Sequence, residues 1–226
     1  MTDKKLPTTI PLFPLTGALL MPEGHLPLNI FEPRYKQMIE MARENDGIIG
    51  MIQPSSTNIS SSEQENDLFG TAKRGRALYN VGCAGIISDF EENAAGQYFI
   101  ILSGVRRFKI IRELPMSQLF REAEVNYLDY QHDGNEDDIK AVPKSRFLET
   151  INKYFKKTRI NVDLTSFEEF NDEELINSMA MNCPFDAAEK QLLIESDRVN
   201  QRAELMIKLM DFILGQHNIS SENNIH

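Results

Sequence analysis

Apolar and polar positions along this chain follow two different periods. From residue 10 to about residue 130 they fall into short apolar or alternating runs, and 11–15, 26–31, 48–53, 78–90 and 122–128 read as strands separated by turns. The segment QYFIILSGVRRFKII (97–111) continues this pattern. A β-rich run is broken at Gly104 and followed by a second, in which Arg106, Phe108 and Ile110 share one face and Arg107, Lys109 and Ile111 the other. It reads as two strands, or as one strand bent at Gly104. Strands this short and this frequent suggest a barrel or a sandwich.

From about residue 138 the period becomes helical. Phe147, Leu148, Ile151, Tyr154 and Phe155 fit one helix face, and Leu175, Ile176, Met179 and Ala180 another. Asn171 with Glu174, and Asp186 with Glu189, have the spacing of reciprocal N-terminal caps. Val199, Ala203, Met206, Met210 and Ile213 form a last stripe, widened by Leu205, Leu209 and Phe212. About four helices packed on one another are the simplest arrangement. Met38, Met41, Met179, Met181, Met206 and Met210 fall mostly at core positions of these stripes rather than on an adaptable binding surface.

The chain therefore divides into a β-rich unit (1–130), a linker (131–138), a helical unit (139–215) and a tail (216–226), expected to be flexible. The segment PSSTNISSSEQEND (54–67) has few apolar residues with which to offset its ordering entropy and is expected to be a flexible excursion. Between strand and helix periods lies FEPRY (31–35). After Pro33, the residues Tyr35, Met38, Ile39 and Ala42 recur at helical spacing, so a helix starts there. Proline at the first helical position loses no hydrogen bond, and Glu32 suits the positive helix end. The triplet Glu32-Pro33-Arg34 reads as a strand-to-helix joint, in preference to an acid–base pair with an anion clamp.

Composition narrows the function. With 34 acidic against 24 basic residues and a net charge of −10, the chain is a poor match for general phosphate binding. Cys83 and Cys183 are far apart, without CxxC spacing, and read as reduced core residues rather than a zinc site or a disulfide. The N-terminus carries no apolar leader and no run is long enough to span a bilayer, so a cytoplasmic, non-membrane protein is expected.

The segments IPLFPLTGALLMPEGHLPLNIFEPRY and GCAGIISDFEENAAGQYFIILSGVRRFKI resemble the N-terminal, substrate-binding domain of Lon proteases. LINSMAMNCPFDAAEKQLLIES is similar to the helical part of free-standing bacterial proteins made of that domain alone. The resemblance runs from Ile10 to Phe212. It implies an α+β fold, a PUA-like β-barrel with one early helix followed by a helical bundle, which recognises unfolded or tagged polypeptides without being an enzyme. With nothing following the domain, any proteolytic role is in doubt. Expected partners are unfolded or flexible polypeptide and a protease or chaperone system. No oligomeric state follows.

Rival chemistries are weaker. The nearest approach to a P-loop, GTAKRGRA (70–77), has Arg76 where the lysine belongs and Ala77 where the hydroxyl belongs. Nucleophile-elbow and zinc-protease motifs are missing, and His25, His132, His217 and His226 are scattered. Ser103 and Lys109 are tempting Ser–Lys neighbours without a defined shared face. No catalytic residue, cofactor or metal ligand is assigned; a cryptic hydrolase is the third reading. The second is an RNA-binding module, since PUA-like barrels often bind RNA. There Arg106 would bury its stem and find a carboxylate or carbonyl partner, while Arg107 and Lys109 could form a small positive strip. The leading reading is polypeptide binding in a cleft between the β and helical units, with Phe31, Arg34, Tyr35 and Arg107 as the binding residues, because aromatic and arginine side chains dominate interfaces. A buried Phe31 would be core; an exposed one strengthens its candidacy.

Overall fold

Long-range pairing of one bent strand closes the β unit. The computed structural model describes residues 6–55, 76–134, 143–161, 167 and 169–222, with side chains as far as residue 215. Its strands are β1 (Thr9–Pro14), β2 (His25–Ile30), β3 (Ile48–Ile52), β4 (Val81–Glu92), β5 (Tyr98–Glu113) and β6 (Arg121–Asn126), with helix α1 (Pro33–Glu44) between β2 and β3. The sheet order is β2-β5-β4-β3-β1-β6, and β5 pairs with β6 as well, so the pairings β5-β4-β3-β1-β6 return to β5. Among the described residues only the β1–β3 pair is parallel.

All of the segment 97–111 except Gln97 lies in the single strand β5, with an irregularity beside Gly104. Gly85 pairs with Gly104 and Ala84 with Arg106, leaving Val105 as a bulge. Gly104 is required where the chain passes Met21: a Cβ there would stand 1.9 Å from the Met21 carbonyl oxygen. Inside the circuit Ile10, Leu12, Ile48, Ile52, Ala84, Phe108, Ala123 and Val125 form one apolar cluster. Gly50 and Gly82 leave space for the Phe108 ring, which a Cβ at either would approach within 3.0 and 2.6 Å.

The helices follow as α2 (Lys144–Thr158), α3 (Asp172–Asn182), α4 (Ala187–Glu195) and α5 (Val199–Glu222). Both expected caps are formed: Asn171 and Glu174 bond reciprocally at 2.9 Å, Asp186 and Glu189 at 2.8 Å. Phe147, Ile151, Tyr154 and Phe155 of α2 are buried, as are Ala203, Met206 and Met210 of α5. Phe212 is not core; it is 64% exposed, because the buried stripe of α5 runs through Ile207 and Met210 and leaves Phe212 beyond its edge. A second apolar cluster joins β-unit residues (Phe13, Met21, Met38, Leu102) to helical ones (Phe147, Ile176, Leu193, Met206). Cys83 and Cys183 are free and buried. Burial pushes both thiols upward, Cys183 to about 12.

Most of the stretch 54–67, most of GTAKRGRA and the second half of 131–138 lie outside the described residues. α5 runs to Glu222, into the segment read as tail.

Candidate functional site

FEPRY is the joint its sequence describes. β2 ends at Ile30, Glu32 takes the extended N-cap conformation, and Pro33 opens α1. Burial of Tyr35, Met38, Ile39 and Ala42 orients the helix. The Tyr35 ring lies 4.3 Å from that of Phe13, and burial raises its hydroxyl pKa. On the outer side Arg34 donates to Glu32 at 2.9 Å, pairs with it at 2.7 Å and places its guanidinium 4.5 Å from the Tyr35 ring centroid. Phe31 is not core: it is 66% exposed, since the chain turns from strand to helix there and carries the ring outward.

One residue missed by the sequence reading joins this surface. Gln37, one helical turn after Arg34, donates to the Gln118 side chain at 3.2 Å and accepts from the Leu119 backbone at 3.3 Å. Leu119 is 56% exposed. The first turns of α1 are thus flanked by two exposed apolar side chains, Phe31 and Leu119, with a cation already stacked on Tyr35. PMSQLF (115–120) gave no periodic signal that would have singled Leu119 out.

Arg107 is elsewhere. It is 2% exposed, and its Nε and Nη2 donate to Asp133, with the closest contact at 2.6 Å. Its Nη1 donates to the Ile194 and Ser196 carbonyls, its Nη2 also to that of Asp197, and its guanidinium lies 4.2 Å from the Tyr130 ring centroid. The side chain caps the C-terminal end of α4 and ties it to β5 and to the segment after β6. The expected strip of Arg107 and Lys109 does not form: at Arg107 the strand face is covered by the end of α4 and the residues that follow it, Ser196 and Asp197, and Lys109 is paired with Asp129 at 2.6 Å. Arg112 pairs with Glu124 at 2.8 Å. Arg106, expected to find a partner, leaves a buried Nε without one.

The expected cleft is also closed where β3 and β4 meet α4. The cavity there, lined by Leu19, Met51, Gln53, Val81, Gln191 and Ile194, holds about 10 Å³, room for about one water molecule and not for a chain.

His25, Ser103 and Ser88 form a short chain of side-chain contacts across β2, β5 and β4. Ser88 Oγ donates to the Ile101 carbonyl at 3.1 Å, and Ser103 Oγ donates to Ser88 Oγ at 2.7 Å. His25 Nδ1 lies 2.8 Å from Ser103 Oγ, and which of the two donates is set by the imidazole tautomer. Among the described residues no group of three or more His, Cys, Asp or Glu could hold a metal ion, and no helix is long and apolar enough to cross a membrane.

This fold and its mixed α+β content are those of a known domain class. The sequence model of the ATP-dependent protease La (LON) substrate-binding domain matches residues 9–211, and the chain belongs to that family. A Lon protease of Cytophaga hutchinsonii is 24% identical over 219 residues, 93% of this chain but 25% of the relative. Lon protease 2 of Myxococcus xanthus is 24% identical over 222 residues, again 93% of this chain and 24% of the relative. The chain thus spans about a quarter of the curated relatives it matches. The crystal structure of a Lon N-terminal domain protein from Xanthomonas campestris superposes with a TM-score of 0.60 at 18% identity, covering 89% of this chain and 98% of that one. The N-terminal domain of a Mycobacterium avium complex Lon protease gives 0.60 at 13% identity, covering 90% and 98%.

Proposed function

We propose that this chain is a non-enzymatic module that binds unfolded or flexible polypeptide, and that the closed strand circuit is the PUA-like barrel expected from its sequence. The observation that carries the reading is the exposed Phe31 ring, held beside Arg34 and the buried Tyr35 at the start of α1, in a chain of the substrate-binding-domain family. An exposed aromatic on a fixed joint offers a large contact at little ordering cost. Phe31, Arg34 and Tyr35 remain the proposed binding residues, with Leu119 added, and Tyr35 serves as the platform under Arg34. Arg107 acts through the fold.

The test is binding of a reduced, carboxymethylated unfolded protein, followed by fluorescence anisotropy. Phe31→Ala with Leu119→Ala should weaken it about tenfold or more, while either single change leaves stability within about 0.5 kcal/mol. Unchanged affinity in the double variant would remove this surface from the site.

A further inference from the structure

Among the described residues β2 stands at the end of the sheet order and pairs with β5 alone, through the register His25 to Ile30 against Ser103 to Tyr98. Hydrogen-bonding direction alternates along an antiparallel strand. The Gly104 amide donates to the Gly24 carbonyl at 2.8 Å, so Gly24 faces β5, and by alternation so do Leu26, Leu28 and Ile30. His25, Pro27 and Asn29 turn their backbone groups the other way. Pro27 fits that parity, having no N–H to offer β5. The side chains of His25, Pro27 and Asn29 are exposed, and the same edge runs directly into the exposed Phe31.

We propose that this edge takes an extended polypeptide segment as an added strand, with Phe31 as a side-chain anchor at its end. The inference deepens the polypeptide-binding reading above and rests on it. The amides of His25 and Asn29 and the carbonyls of His25, Pro27 and Asn29 supply bonds that read backbone and not sequence, which suits an unfolded ligand. Two features select the occupant. In a two-fold pairing of β2 with a second copy, Pro27 withholds its donor twice, and at the central register Pro27 faces Pro27 with no bond at all; a foreign strand meets that gap once. The net charge of −10 then favours a segment with basic or neutral residues over an acidic one.

The experiment titrates the whole chain with a short labelled peptide of alternating Val and Lys, and with the same peptide N-methylated at every residue, which keeps the side chains and removes the backbone donors. The unmodified peptide should bind and the methylated one should not. A Val and Glu peptide should bind more weakly than the Lys version. Asn29→Pro, which removes an outward N–H that β5 does not use, should weaken binding about five- to tenfold, and Asn29→Ala should not. Pro27→Ala, which adds a donor, should tighten it. Equal binding of the methylated peptide overturns strand addition and leaves polypeptide binding standing, and that comparison on the unaltered chain decides the matter if Asn29→Pro fails to fold. Binding of the unfolded protein without binding of the Val and Lys peptide also overturns only the added strand. Binding of neither overturns both. A dimer of the unaltered chain that Asn29→Pro dissolves would assign the edge to a second copy and overturn the foreign occupant.

Discussion

Replacing Arg107 by Met should be among the most damaging single changes in this protein. The substitution keeps most of the aliphatic stem and removes the guanidinium, so Asp133, buried beside it, loses its partner, and the carbonyls of Ile194, Ser196 and Asp197 lose a donor together. Removing one partner of a buried pair costs about 3–5 kcal/mol, because the remaining charge is left desolvated and uncompensated. Arg107→Lys should recover only part of this, since one ammonium cannot reach both the carboxylate and the end of α4. Asp133→Asn should cost about 1–3 kcal/mol, as the amide oxygen can still accept from the Arg107 amide and side chain. The pair is tested by urea unfolding of both single variants and of the double variant, which should be less destabilised than the two singles summed. A loss below about 1 kcal/mol for Arg107→Met, the range of a surface residue, would refute the interior placement and the capping of α4.

Two further outcomes follow from the polar groups of the helical unit. Asn171→Ala and Asp186→Ala should each cost about 1 kcal/mol in urea unfolding, because each opens a two-way cap, and the effects should add, since the caps belong to different helices. Burial raises the pKa of Glu173, which accepts from the Gly134 amide and has Glu23 and Asp133 as acidic neighbours and Arg202 as a basic one. Its protonated form is the one the fold prefers, so its contribution to stability is full below the unfolded value of about 4.3 and is lost as pH rises through the raised folded value. Wild type should therefore lose stability relative to Glu173→Gln as pH rises across that window, and a flat difference between the two unfolding curves would contradict the burial.

Local chemistry was legible where one segment sufficed to decide it. The joint at FEPRY and the two caps each depend on a few adjacent residues and formed as read, while the break at Gly104, which left one strand or two open, is an irregularity within one strand. Arg106 and Arg107 show where that stops. Strand alternation correctly put them on opposite faces, but what covers a face is decided by chain more than eighty residues away. The outer face received the end of α4, and Arg107 became a buried cap while Arg106 kept an unpartnered nitrogen. Leu119 escaped for the same reason, and the exposure of Phe31 stayed open: whether an apolar residue at the end of a run is covered depends on elements its neighbours do not encode. That β2 ends the sheet among the described residues is likewise a property of sheet order, to which its own six residues contribute only the hint of Pro27.

That hint connects the folding problem to the proposed binding. A sheet edge leading into an exposed aromatic ring is a template for any chain that can extend, including a second copy of itself. Three features of the sequence limit that hazard without covering the edge. Pro27 withholds its donor at the middle of β2, so self-pairing loses more bonds than foreign pairing does. Pro33 fixes the first turn of α1, so Phe31 is presented from a rigid joint and does not fold back onto the strand. The excess of acidic residues opposes close approach of two copies while leaving neutral and basic segments free to dock. Covering the edge with another strand would remove the hazard and the proposed site together, so the proposed binding requires that both be kept.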